Sequence, residues 1–235
     1  MSTDQKTSLI SVIIPTLNEE TALADTLAPL SDVNGVEIIV ADGGSNDRTI
    51  PLAEKAGAIV VRSQPGRGLQ QNIGASAASG NILLFLHADT ILPDGFPTMI
   101  RSSLDLEKVI AGAFSLAIDL PGAGIRFIEK MANYRSRWLQ LPYGDQALFM
   151  KADTFQQAGG FPEIEIMEDF ALLKILGKTG KIKILPATVV TSGRRWHKMG
   201  ILRTTLINQV VIIGYLLGRS PASLASWYRR SSKAR

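Results

Sequence analysis

An α/β fold with a mixed central sheet is predicted by three features of this sequence. Four short, largely apolar runs, Ser11–Ile14, Glu37–Ala41, Ala58–Val61 and Leu83–Leu86, are each too short for a helix. Runs of this kind read as strands buried on both faces. Segments of helical periodicity separate them, at spacings that suit right-handed parallel crossovers. Polar and acidic residues gather just after the runs, at Thr16–Glu20, at Asp42 and at His87–Asp89. In an open parallel sheet that edge is where ligands bind.

Taken in order, Ser11–Ile14 is closed by Pro15, and Leu23, Leu27 and Leu30 then recur at helical spacing. The second strand ends in Asp42-Gly43-Gly44-Ser45-Asn46-Asp47. A helix from about Thr49 to Lys55 is stopped by Gly57, and the third strand follows. Gly66-Arg67-Gly68 leads into an alanine-rich helix through Ala78, stopped by Gly80, before Leu83–Leu86. This is a βαβαβαβ half of the nucleotide-binding, Rossmann-like type. After Pro93 the pattern changes. Helices are expected over Gly95–Leu104, Gly124–Leu139, Phe155–Ala158 and Glu168–Leu176. Strands are expected at Val109–Leu116, on the far side of the sheet, at Gln146–Met150, and separately at Ile182–Leu185 and Thr188–Val190. The organisation read from this is one domain over residues 1–218, with a nucleotide-binding half at about 8–93 and an acceptor half at 94–218. A basic tail at 219–235 follows.

With 235 residues, 46% of them hydrophobic, the chain can bury a substantial core. The absence of cysteine excludes disulfides and thiolate chemistry and suits a reducing, cytoplasmic setting. Met1-Ser2-Thr3-Asp4 does not resemble a secretory leader. No apolar run reaches the roughly 20 residues of a membrane span. The net charge of +4 conceals an asymmetry: residues 1–169 hold all 21 acidic residues and 12 basic ones, whereas 170–235 hold 13 basic residues and no acidic one. A basic C-terminal part suits an anionic partner such as a pyrophosphate or an anionic lipid surface. Nucleic acid is not expected, because the basic residues lack interleaved aromatics on the strands.

Asp89 at the end of a central strand can hold a divalent cation that bridges phosphate oxygens, or cap the turn before Pro93. Glu19, Glu20, Asp42 and Asp89 all follow strands and should share one cleft. Gly43-Gly44-Ser45-Asn46-Asp47 allows close approach of a ligand but is neither a dinucleotide fingerprint nor a Walker A loop. Asp169 reads as a carboxylate at a helix N-terminus, where its ionised form is favoured, or as a simple cap. Arg194, Arg195, Trp196 and His197 form a dense cluster. The arginines could neutralise a diphosphate while Trp196 and His197 close over it, with His197 a further metal ligand. The same residues could also be a solvated loop with an anchoring tryptophan. Asp145 and Gln146 are candidate acceptor contacts, or a turn before a strand. Ile201–Leu217 is apolar but interrupted by Arg203, Asn208 and Gln209. It reads as a membrane-interface segment, a dimer contact or a helix packed on the core. Trp227-Tyr228-Arg229-Arg230, with Lys233 and Arg235, suits anionic headgroups or a disordered basic end.

Several of these stretches together resemble family 2 glycosyltransferases. They are Val12–Glu20, Ile38–Asp47, then Asn72, Gly74, Ala78 and Gly80, His87-Ala88-Asp89 in the place of the metal-binding D-x-D, and Glu168-Asp169 in the place of the catalytic E-D. The resemblance covers roughly residues 9–200. His87–Thr90, Pro142–Gln146, Met167–Asp169 and Thr191–Trp196 together further resemble the subgroup of glycosyltransferases associated with arsenosugar biosynthesis. The resemblance implies a GT-A-type fold and transfer of a sugar from a nucleotide-diphosphate donor, a UDP-sugar first, to an acceptor hydroxyl, with inversion. It implies Mg²⁺ or Mn²⁺ as cofactor. Pro15, Thr16, Glu19, Asp42, Gly43, Arg67 and Ala88 would line the nucleotide pocket, with Asp42 accepting from the base. Asp89 would hold the metal, and Asp169, beside Glu168, would remove the acceptor's proton. His87 departs from the pattern, standing where a carboxylate is expected, and is itself a candidate ligand. Ser192 stands in the place of the Gln of Q-x-x-R-W, which implies a non-processive enzyme. Two rival readings are a sugar nucleotidyltransferase and a catalytically silent module that binds a nucleotide-sugar or lipid headgroup. The chain could act as a homodimer and could be peripheral at the inner face of a membrane.

Overall fold

A computed structural model describes residues 8–232. Met1 to Thr7, which include the N-terminal stretch read above, lie outside the described residues, as do Lys233 and Arg235 of the expected tail. The N-terminal half contains β1 (Ile10–Thr16), α1 (Leu23–Leu27), β2 (Val36–Asp42), α2 (Thr49–Lys55), β3 (Ile59–Arg62), α3 (Arg67–Ala77) and β4 (Ile82–Phe85). β1 to β4 pair only in parallel with one another. After β5 (Thr90–Ile91) and α4 (Phe96–Leu104) come β6 (Val109–Asp119), α5 (Ala123–Leu139), a 3₁₀ turn at Gly144–Gln146, β7 (Leu148–Lys151) and α6 (Ala152–Gln157). The chain continues through α7 (Glu168–Leu176), β8 (Lys181–Ser192), α8 (Arg194–Met199), α9 (Ile201–Leu216) and α10 (Pro221–Ser232).

All eight strands form one sheet in the order β3-β2-β1-β4-β7-β6-β8-β5. β7 runs antiparallel to both β4 and β6, and β5 runs antiparallel to β8, so the sheet is mixed. β6 lies on the far side, as expected, but inside the sheet between β7 and β8. The parallel strands read as continuous apolar runs because both of their faces are covered. Ile10, Val12 and Ile14 of β1 enter one core with Leu23, Leu27 and Ile100, whereas Ile13 enters a second core with Phe85, Phe155 and Leu172. Gly74 lets α3 lie close on β1: a Cβ there would stand 2.5 Å from Ile13 Cγ2.

Three expectations change in the second half. The two strands expected around Ile182 and Thr188 are one, β8, with a register shift against β6 between Leu185 and Thr188. Pro186 lies in that shift, where a residue without an N–H is tolerated. Gln146 belongs to the 3₁₀ turn and not to β7. The stretch read as a basic tail is helical from Pro221 to Ser232, because Leu224 and Ala225 bury themselves and α10 packs back on α9.

Candidate active site

A cavity of about 540 Å³ opens at the carboxyl ends of β1 and β4, between them and α7, α8 and α9. Thr16, Glu19 and Asp89, at or just after the ends of β1 and β4, converge there, whereas Glu20, expected in the same cleft, pairs with Arg48 outside it. Of the residues singled out in the sequence, Pro15, Thr16, Glu19, Arg67, His87, Ala88, Asp89, Asp145, Asp169, Arg194, Arg195 and Trp196 line it. Asp42, Gly43, Gln146, Glu168 and His197 do not.

One side of the cavity is tied together by Arg194 at the start of α8. Its Nη2 donates to Glu19 Oε2 at 2.6 Å and stands 3.1 Å from Asp89 Oδ2. Two carboxylates that follow different strands thus share one guanidinium nitrogen. Nearby, His87 is turned inward. Burial, and then the positive charge of Arg67, push its imidazole down to about 3 against the opposing pull of Asp169. It is neutral at physiological pH, and its buried Nε2 has no hydrogen-bond partner within the protein. A neutral imidazole with a free nitrogen is a competent ligand for a divalent cation. Asp89 and His87 together fit such a cation in part. Among the described residues no group of three or more His, Asp or Glu side chains is close enough to hold one alone. His197 is exposed on α8 and away from the cavity, so it does not join them.

Asp169 lies in the first turn of α7. Its Oδ2 accepts the Gly144 N–H at 2.7 Å, and its Oδ1 accepts the N–H of Phe170 at 2.7 Å. The residue ahead of Glu168, Met167, has φ 70°. A left-handed conformation in a non-glycine residue costs about 1 to 3 kcal/mol and marks a constrained turn. Ala147, just after the 3₁₀ turn, has φ 51°. Two such residues therefore bracket the contact between Gly144 and Asp169. Glu168 points elsewhere. Buried at 1% exposure, it pairs with Arg67 Nε and so positions that arginine instead of reaching the cavity.

The 3₁₀ turn separates the two acceptor candidates. Asp145 lines the cavity with its Oδ1 buried and unpartnered. Gln146 is wholly buried. Its amide accepts from Ser136 Oγ at 2.6 Å and from the Tyr143 N–H at 3.3 Å, and it donates to the Phe114 carbonyl at 2.8 Å. It fixes the turn and, wholly buried and off the cavity, does not reach an acceptor.

Asp42 is also spoken for. Burial would raise its carboxyl, but hydrogen bonds from the Ser45 hydroxyl and N–H, from the Gly44 N–H and from Thr16 hold it below the ordinary carboxylate range. It organises the loop after β2. Gln70, absent from the sequence reading, does the neighbouring task. Its Nε2 donates to the carbonyls of Thr16 and Ala41, both at 2.8 Å, joining the ends of β1 and β2 at the cavity wall. Nothing in the periodicity of α3 distinguishes it.

Arg195 presents the clearest anion-binding group. Its Nη1 donates to the Tyr228 hydroxyl and its guanidinium carbon lies 4.5 Å from the Tyr228 ring centre. Nε and Nη2 have no partner within the protein, and neither does the indole N–H of Trp196. Tyr228 reaches the cavity because α10 folds back, so it had no signal at the level of local sequence.

Comparison with known proteins shows the family to which this fold belongs. Residues 11–157 match the model of glycosyl transferase family 2, which is more than half of the chain. The chain belongs to glycosyl transferase family 2. The match is to the family as a whole and carries no subgroup. This family 2 chain is similar to glucosyl-3-phosphoglycerate synthase of Mycobacterium tuberculosis, 38% identical over 96 residues, 36% of this chain and 30% of that protein. It is also similar to 4,4'-diaponeurosporenoate glycosyltransferase of Staphylococcus haemolyticus, 39% identical over 97 residues, 37% of this chain and 26% of that protein. The matched stretch therefore spans less than a third of those relatives' length. Among solved structures, S. aureus TarS 1-349 in complex with UDP-GlcNAc superposes with a TM-score of 0.61 at 16% identity, covering 95% of this chain and 72% of that one. Glucosyl-3-phosphoglycerate synthase from Mycobacterium tuberculosis, in complex with Mn²⁺, UDP and glucosyl-3-phosphoglycerate, superposes with a TM-score of 0.58 at 23% identity, covering 86% and 79%. Both likenesses are likenesses of fold. The GT-A-type fold implied by the sequence motifs is the fold of this family 2 chain.

Proposed function

We propose that this chain transfers a sugar from a nucleotide-diphosphate donor, a UDP-sugar first among them, to the hydroxyl of an acceptor, with inversion and without processivity. The observation that carries the reading is that one cavity holds both a free guanidinium edge on Arg195 and an anchored carboxylate on Asp169. The first suits a leaving diphosphate and the second suits a proton acceptor.

In this reading the acceptor O–H gives its proton to Asp169, and the oxygen bonds to the anomeric carbon. The bond from that carbon to the diphosphate oxygen breaks, and its electron pair leaves with the nucleoside diphosphate. The Gly144 N–H holds Asp169 in one orientation throughout. Arg195, fixed by Tyr228, meets the charge that grows on the diphosphate. Asp89 and His87 are the residues that would hold Mg²⁺ or Mn²⁺, which would supply further positive charge at the diphosphate. Thr16 and Pro15 line the nucleotide side of the cavity, and Asp145 the acceptor side.

Asp169→Asn tests the reading. A positioned general base contributes about 10² to 10⁴ in rate. The variant should bind the UDP-sugar as the wild type does and lose transfer by a factor of that order. Collapse of donor affinity in place of transfer would remove Asp169 from the role of base.

A further inference from the structure

The mechanism leaves one large surface feature unused. α5 exposes Phe127, Met131, Tyr134 and Trp138, spaced so that they form one stripe along the helix. Phe127 is 64% exposed and Trp138 73%, and the rings of Tyr134 and Trp138 stack at 5.4 Å. α9 exposes a second stripe, Leu202, Leu206, Val210 and Ile213, continued by Leu217 beyond its end; Leu202 is 80% exposed. The two helices start side by side, since a Cβ on Gly124 would meet Ile201 at 3.2 Å. Beyond the end of α5, Leu141 and Tyr143 join the same apolar cluster as Val211, Ile212 and Tyr215 of α9. Apolar exposure on this scale on neighbouring helices marks an interaction surface.

Charge selects the occupant. α5 carries one acidic residue, Glu129, which is buried and paired with Arg126; its exposed charges are Arg126, Lys130 and Arg137. From α8 through α10 every charged residue is basic, with Lys198, Arg203, Arg219, Arg229 and Arg230 exposed. A second copy of the chain would bring the same positive face against this one and be repelled. Leucines, a tryptophan and a tyrosine on helices whose exposed charges are all lysine and arginine suit the boundary between anionic headgroups and acyl chains. Among the described residues no helix is long and apolar enough to cross a membrane, so the contact is with the surface.

We infer that the exposed faces of α5 and α9 dock on an anionic lipid surface. Trp227 and Tyr228, the aromatics that the sequence offered for this purpose, face inward. Trp227 packs among Phe170 and Val211, and Tyr228 lines the cavity. The aromatic anchors are instead on α5. Because Asn208, Val211 and Ile212 line the cavity from α9, docking sets that wall of the site against the bilayer.

The test is co-sedimentation of the full chain with phosphatidylcholine vesicles, with and without phosphatidylglycerol, at low and high salt, for the wild type, L206E and W138E. Both positions are exposed, and thermal melting checks that each variant remains folded. The wild type should sediment with phosphatidylglycerol vesicles and only weakly with pure phosphatidylcholine. Each variant should lose about tenfold in partitioning. Binding that salt abolishes and neither variant changes would overturn the proposal, leaving only a diffuse basic surface. So would the absence of vesicle binding at low salt. A dimer in analytical ultracentrifugation that both substitutions dissociate, without vesicle binding, would assign the face to a second copy. The readout is binding and not transfer, so it stands or falls apart from the proposed activity.

Discussion

The backbone N–H of Gly144 donates to Asp169 Oδ2 at 2.7 Å, so a turn ahead of β7 sets the orientation of a carboxylate 25 residues further along the chain. The same glycine faces His87. A Cβ added to it would lie 3.0 Å from His87 Nε2 and 3.3 Å from Asp169 Oδ2. Gly144→Ala is therefore expected to push both side chains by a few tenths of an ångström while leaving the core untouched. Transfer should fall by about tenfold to a hundredfold, since small misplacements of a catalytic group are costly. The melting temperature should stay within a few degrees. Steady-state kinetics beside a melting curve checks this, and a large loss of stability with normal turnover would contradict it.

Arg194 joins Glu19 and Asp89 through one nitrogen, which makes it a competitor for any cation that Asp89 would hold. Arg194→Gln removes the competitor but keeps a side chain of similar reach. Isothermal titration of Mn²⁺ into the donor-free protein should show affinity raised by roughly fivefold, the worth of a partly exposed ion pair. Unchanged or weaker Mn²⁺ binding would mean that Asp89 is not the cation's carboxylate.

Much of this was legible in the sequence for a physical reason. Strands buried on both faces leave continuous apolar runs, so β1 to β4 stand out, and parallel pairing then brings Thr16, Glu19 and Asp89 to one edge. What stayed hidden depends on contacts distant in the chain. β5 is two residues long and exists because Thr90 and Ile91 pair with Thr191 and Val190. Thr90 Oγ1 bonds Thr191 Oγ1 at 3.0 Å, 101 residues away. Tyr228 joins Arg195 only because α10 returns, and no local pattern announces that. Glu168, Gln146 and Asp42 illustrate the converse. Their residue types suit chemistry, but their side chains are engaged away from the cavity by Arg67, by Ser136 and Phe114, and by Ser45 and Gly44. The α5 stripe was masked by the charged residues interspersed with it.

Asp145 carries a proton further up the pH scale than an ordinary aspartate. Burial, and then the charge of Asp169, raise its carboxyl to about 6 against the opposing pull of Arg135 and Arg67. Between the ordinary aspartate value and about 6, the folded protein binds more protons at this site than the unfolded chain does. Stability must therefore fall as pH rises through that window. Asp145→Asn cannot ionise and should lose this slope. Urea unfolding at about pH 4 and about pH 7.5 should show the variant more stable than the wild type at the higher pH and close to it at the lower. Equal differences at the two pH values would mean that Asp145 is not held protonated.

Glu37 carries the opposite sign. It stands at the start of β2, where its carboxylate collects the hydroxyl of Ser11, the N–H and hydroxyl of Ser79 and the N–H of Gly80. It thus ties β1 and β2 to the turn between α3 and β4. Burial opposes the ionised form, but these four donors outweigh it and hold the carboxyl below its ordinary value. The stabilisation is fully present above the unfolded glutamate's pKa and is lost as pH falls through the folded one. Glu37→Gln keeps one acceptor and loses the charge, so it should cost about 1 kcal/mol near neutrality. That difference from the wild type should shrink as both proteins are brought to about pH 4 and below, where the wild-type carboxylate takes up its proton. Unfolding curves at the two pH values measure it directly. A gap that persists unchanged in acid would show that the size of the side chain, and not its charge, holds this corner of the sheet together.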